Sequence, residues 1–70
     1  MLGQYLKDYR LARNLTQKQM CKIIGISYVY YSNIETGKHK PSYVVIDKIS
    51  KAVNEDVTFI RSLLWSRQTD

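Results

Sequence analysis

Apolar residues recur at helical spacing almost from end to end of this 70-residue chain, broken at short polar intervals. Leu2, Leu6 and Tyr9 follow the i, i+4, i+7 rhythm of a buried stripe, while Lys7, Asp8 and Arg13 fall off it. That predicts a first helix from about Leu2 to Arg13. Asn14 suits the left-handed turn that ends it, and Leu15 returns to the core. A second helix starts at a cap residue, Thr16, and carries Met20, Cys21 and Ile24 on one face. Gly25 breaks the pattern and Ile26 plugs the corner. Ser27 then caps a third helix with Tyr31 and Ile34 inward, ending near Thr36-Gly37. The stretch Lys38 to Pro41 cannot continue it, because proline restricts the residue before it to extended geometry. Ser42 caps a fourth helix, which turns Val45, Ile46, Ile49 and Val53 inward and ends at Asn54. Asp56 caps a fifth, from Val57 to about Trp65, whose stripe Val57, Ile60 and Leu64 closes the core. Residues 66–70 have little to hold them and are expected to fray.

Tyr28 to Tyr31 have the β-propensity of a strand, but the Ser27 cap and the inward pair Tyr31 and Ile34 favour a helix. The expected fold is therefore all-α, five helices in one domain over residues 1–65. Its middle is distinctive. Glycine at position 25 tolerates a positive φ, and the small Cys21 four residues earlier lets the two flanking helices cross closely. This is the layout of a helix-turn-helix, in which the second helix is shaped to enter the DNA major groove.

The same stretch resembles the lambda-repressor-like (Xre/Cro) helix-turn-helix proteins, from about Leu2 to about Leu64. The residues that carry the resemblance are Arg10, Leu15-Thr16-Gln17, Met20-Cys21, Gly25-Ile26-Ser27, Ile34-Glu35 with Gly37, and Pro41-Ser42. It implies the five-helix lambda-repressor-like fold and sequence-specific binding of double-stranded DNA by a transcriptional regulator, such as a small prokaryotic or phage repressor. It also implies a largely buried ion pair between Arg10 and Glu35, which fixes the third helix against the first. Gln17, at the start of the second helix, matches a phosphate-binding position of the family.

With Tyr31 and Ile34 inward, Tyr28, Val29, Ser32 and Asn33 point toward the groove, and these match the family's base-reading positions. Asn33 has the groups for a bidentate contact to adenine, Val29 for packing on a thymine methyl, Ser32 for donating to a base edge or a phosphate. Tyr28 offers a ring or a hydroxyl. Phosphate contacts, which position the protein without reading sequence, fall to Lys38, Lys40, Ser42 and Tyr43, unless the two lysines only solubilise. Tyr9 and Tyr31 belong to the core. Tyr30 either wedges toward the fourth helix or faces the DNA backbone. His39 is isolated in a loop and makes no metal site.

Charge sharpens this picture. The net charge is +5, and residues 1–51 hold nine Lys/Arg against three Asp/Glu, while residues 52–70 are close to neutral. The basic part is the helix-turn-helix part, as a polyanionic partner requires. Cys21 is the one cysteine, which rules out an intrachain disulfide and leaves a small buried residue or a redox-sensing thiol. Charged residues interrupt every apolar run, so neither a signal peptide nor a membrane span is expected, and a cytoplasmic protein is, nucleoid-associated when bound to DNA. Seventy residues leave no room for a second catalytic or sensing domain. Carboxylates are few and scattered, no phosphate-cradling glycine loop exists, and no cofactor is called for, which excludes an enzyme.

Phe59, Leu63 and Trp65 add more apolar surface to the fifth helix than a small monomer needs. A homodimer through that helix, reading an inverted repeat, is one expectation. The alternative has Trp65 fold back over the core. An antitoxin or adaptor that uses the fold mainly to bind a protein partner is the competing function.

Overall fold

The computed structural model describes residues 1–65, and nothing of the Trp65 side chain; the expected fraying of 66–70 and the place of the Trp65 ring lie outside the described residues. Five helices follow in the expected order: α1 (Leu2–Ala12), α2 (Gln17–Ile24), α3 (Tyr28–Glu35), α4 (Tyr43–Val53) and α5 (Val57–Trp65), with no strand among the described residues. Each is eight to eleven residues long, too short to hold helical form alone in water. Packing and end caps hold them instead.

The caps lie where the sequence places them. Thr16 Oγ1 accepts from the Gln19 amide at 3.0 Å and Gln19 Oε1 accepts from the Thr16 amide at 2.8 Å, a reciprocal capping box. Ser27 Oγ accepts from the Tyr30 amide and Ser42 Oγ from the Val45 amide. Asp56 Oδ1 accepts from the Thr58 amide. Asn14 and Asn54 take φ of 57° and 58° at helix ends. Gly25 has φ 91°, a conformation that carries a steric cost for other residues, and the Gly25 and Ile26 amides both donate to the Cys21 carbonyl. The α2–α3 turn is closed by those two bonds and braced by Lys48 Nζ of α4, which donates to the Gly25 carbonyl at 3.3 Å.

One core joins all five helices. It is built from Leu2 and Leu6 of α1, Met20, Cys21 and Ile24 of α2, Tyr31 and Ile34 of α3, Val45, Ile46, Ile49 and Val53 of α4, and Ile60 of α5. The Cys21 thiol is buried there and donates to the Lys18 carbonyl. Val57 and Leu64 are only half-buried, so Ile60 is the α5 residue that closes the core. Tyr9 lies at the rim, its ring covered by the Arg13 guanidinium at 3.5 Å. α3 packs against α1 and α2, and α5 bridges α4 and α1.

Gly3 is buried in α1 where that helix crosses the last turn of α3. A Cβ there would run into the Glu35 carbonyl oxygen and come within 2.8 Å of the Ile34 carbonyl oxygen. The two backbones touch, and that contact seats the C-terminal end of α3. No helix of the described residues is long and apolar enough to cross a membrane.

Candidate nucleic-acid interface

The outer face of α3 is set by what lies beneath it. Tyr31 and Ile34, three apart, are buried and fix the rotation of the helix. Tyr28 and Val29 consequently stand out, 44% and 66% exposed, and Ser32 and Asn33 are half-buried beside them.

Beneath this face sits a charged hub. Arg10 of α1 meets Glu35 of α3 in a two-pronged pair, Nε to Oε2 at 2.9 Å and Nη2 to Oε1 at 3.0 Å. The two side chains are 12% and 5% exposed. The third prong, Arg10 Nη1, donates to the Leu15 carbonyl and ties down the α1–α2 corner. Glu35 also accepts from the Tyr31 hydroxyl and from Gln17 Nε2 at 2.8 Å. Burial pushes the Glu35 carboxyl up, but the hydrogen bonds from Arg10, Tyr31 and Gln17 outweigh it and hold the group at about 2. Burial, and then the bond to that carboxylate, push the Tyr31 hydroxyl up. The carboxylate is thus ionised and saturated, and no net charge remains to repel a phosphate.

The hub reaches the surface through Gln17. Its Oε1 accepts from the Tyr28 hydroxyl at 3.2 Å, while its Nε2 holds Glu35. Lys18 Nζ lies 5.9 Å from the centre of the Tyr28 ring. Tyr28 is therefore held upright against the start of α2, offering its ring rather than a free hydroxyl. Gln17 itself is half-buried and committed at both ends of its amide. Of the first-turn amides of α2, that of Gln19 is spent on Thr16 Oγ1, which leaves those of Gln17 and Lys18 at the usual place for an anion.

The α3–α4 loop lies next to this face. Lys38, His39 and Lys40 are exposed. Ser42 is spent on capping α4, and Tyr43 is 75% exposed with the Arg61 guanidinium 5.2 Å above its ring. Tyr30 turns toward α4, where its hydroxyl oxygen accepts from the Ser42 amide at 3.2 Å. From residue 14 to residue 46 the chain carries Lys18, Lys22, Lys38 and Lys40 against the single, neutralised Glu35. An outer helix face of Tyr28, Val29, Ser32 and Asn33 next to a loop with exposed lysines suits a duplex edge.

The α5 residues are placed differently. Phe59 is 39% exposed and packs edge-to-face on Tyr5 of α1, 5.5 Å between centroids, so part of its ring is already used within the chain. Leu63 is half-buried. Three contributors to the site went unread in the sequence. The capping-box partner Gln19 had a signal, three residues after Thr16. Gly3 and the Gln17 to Tyr28 bond had none, since their partners are distant in the chain.

A helix-turn-helix family model matches residues 6–60. The chain is similar to the ImmF control region 10 kDa protein of Bacillus phage phi105, 35% identical over 60 residues that cover 86% of this chain and 67% of that protein. It is also similar to an uncharacterized HTH-type transcriptional regulator of Bacillus subtilis, 38% identical over 58 residues, 83% of this chain and 76% of the relative. A further HTH-type regulator, from Archaeoglobus fulgidus, is 30% identical over 67 residues, 90% of this chain and 94% of its own length. No solved structure matches the chain significantly.

Proposed function

The chain belongs to the lambda-repressor-like helix-turn-helix family of DNA-binding transcription regulators, which are not enzymes, and we propose that it reads a specific operator with α3 in the major groove. The observation that carries this reading is the α3 face itself: Tyr28, Val29, Ser32 and Asn33 on a helix locked from below by Arg10 and Glu35, beside the lysine-bearing loop. In this family the second helix of the motif enters the groove, and dimers read half-sites one helical turn apart. Asn33 and Val29 then contact base edges, and Tyr28 contributes its ring. The α2 amides beside Gln17, with Lys38, Lys40 and the loop end at Ser42 and Tyr43, contact phosphates. A homodimer whose interface includes Phe59, Leu63 and Trp65 presents two such faces to an inverted repeat. One relative is named for a phage control region, which supports a repressor acting in a small regulatory circuit.

Selection from a randomised duplex library tests the reading. An enriched inverted repeat, its half-site centres about 10 base pairs apart, is the expected result. A lone half-site would remove the dimer, and no enrichment would move the function to an antitoxin or adaptor. Light scattering that shows only monomer, with and without the selected duplex, would also remove the dimer.

Two substitutions separate reading from positioning. Asn33→Ala is expected to relax preference at one base pair, at a cost of about 1–3 kcal/mol; binding measured on single-base variants of the selected site checks it. Lys38→Ala is expected to weaken selected and scrambled duplexes alike and to lower the salt slope by about one per protomer. A changed base preference would refute the phosphate role.

A further inference from the structure

The α3–α4 loop is tied to α3 at both of its ends. At its start the Lys38 and His39 amides both donate to the Asn33 carbonyl, at 2.8 and 3.2 Å, and Thr36 Oγ1 donates to the Ser32 carbonyl at 3.0 Å. At its far end the Ser42 amide donates to the Tyr30 hydroxyl oxygen at 3.2 Å. Between the ties stand Lys38, His39 and Lys40, all exposed, in a stretch without helix or strand. The first tie is largely backbone and survives most substitutions. The second hydrogen bond rests on one phenol oxygen, carried by a ring that packs half-buried against the core, beside the buried Pro41 and the Ser42 cap of α4.

We propose that Tyr30 is a positioning residue for DNA binding: by holding the Ser42 amide it sets the loop from Lys38 to Ser42 against α3, so that base-reading and phosphate-contacting groups meet the duplex as one unit. This rests on the reading of α3 and its loop as the DNA-facing surface. A loop already in place avoids the ordering cost that binding otherwise incurs. Phosphate contacts fix register without reading sequence. Loosening the loop therefore weakens binding to every duplex and spares the preference supplied by Val29, Ser32 and Asn33.

Tyr30→Phe removes the oxygen and keeps the ring. Two measurements test it, amide hydrogen exchange at Ser42 in the protein alone, and affinity for the selected and a scrambled duplex across a range of salt. The Ser42 amide is expected to exchange about tenfold faster. Affinity is expected to fall roughly three- to tenfold on both duplexes, the scale of one hydrogen bond, with a salt slope shallower by about one per protomer. Unchanged exchange overturns the tie itself. Faster exchange with an unchanged slope, or an affinity loss that only follows a lower melting temperature, overturns the positioning role and leaves the operator reading standing. A wild type that binds no duplex overturns the operator reading, and the role of Tyr30 with it.

Discussion

Glu35→Gln is expected to remove about 3–5 kcal/mol of folding stability, because it leaves the Arg10 guanidinium in a nearly closed site with no counter-charge. A chain of this length has a total stability of roughly 4–10 kcal/mol, so the substitution removes a large share of it. Three donors lose their anionic acceptor together: Arg10, the Tyr31 hydroxyl and the Gln17 amide. Urea titration followed by circular dichroism reads the loss directly. The same group predicts an acid limb. In the folded chain Glu35 keeps its charge down to about pH 2, whereas its ordinary value is 4.5. The unfolded chain therefore takes up the proton first, and the stabilisation is complete above pH 4.5 and drains away as the pH falls toward 2. A depression of that size corresponds to about 3 kcal/mol. Wild-type unfolding free energies measured at intervals from pH 5 to pH 2 should lose about that much from this group. A flat profile would show that the carboxylate is not held as described.

Gly3→Ala is expected to be nearly as damaging, against the ordinary rule. Inside an exposed helix this exchange stabilises by about 1 kcal/mol. Here the new methyl would meet the Glu35 carbonyl oxygen, with the Ile34 carbonyl oxygen at 2.8 Å and the Glu35 carbonyl carbon at 2.9 Å. All three are backbone atoms and cannot rotate aside. Relief requires α1 to lift off the last turn of α3, which pulls Arg10 from Glu35 as well. Overpacking of this kind costs about 1–3 kcal/mol or more. With a net loss of about 2 kcal/mol, the melting temperature of so small a domain should drop by roughly 8–16 °C. A melting temperature equal to wild type would mean that the two helices do not touch there.

Gly3 also marks the limit of what the sequence discloses. Helix starts at Thr16, Ser27 and Ser42, and ends at Asn14, Gly25 and Asn54, were legible because a cap and its partner lie within a few residues. The apolar rhythm likewise placed Leu6, Ile24, Ile49 and Ile60 in the core. Gly3 carries no such signal, since the atoms that exclude a side chain belong to residues 34 and 35. Tyr30 could face α4 or DNA by spacing alone, and only the packed position of Ser42 decides it. The Gln17 amide has partners at positions 28 and 35, so its orientation is a tertiary property. The spacing assigns Tyr9 to the core and Phe59 to surplus surface; Tyr9 is only half-buried, its ring covered by Arg13, and Phe59 is exposed yet shares a ring contact with Tyr5. Hydrophobic period registers inside and outside, and a rim residue is neither.

The link from Arg10 through Glu35 and Gln17 to Tyr28 has a bearing on how such a protein diverges. Tyr28 is wired into the scaffold, so an exchange there disturbs a partner on another helix. The side chains of Val29, Ser32 and Asn33 make no hydrogen bond among the described residues. Mutation can therefore rewrite those three positions one at a time without revising the framework, and a duplicated copy could acquire a new target while keeping every buried contact. The fold supplies a fixed handle and three interchangeable positions, set along α3 beside the buried Tyr31 and Ile34 that hold the helix in place.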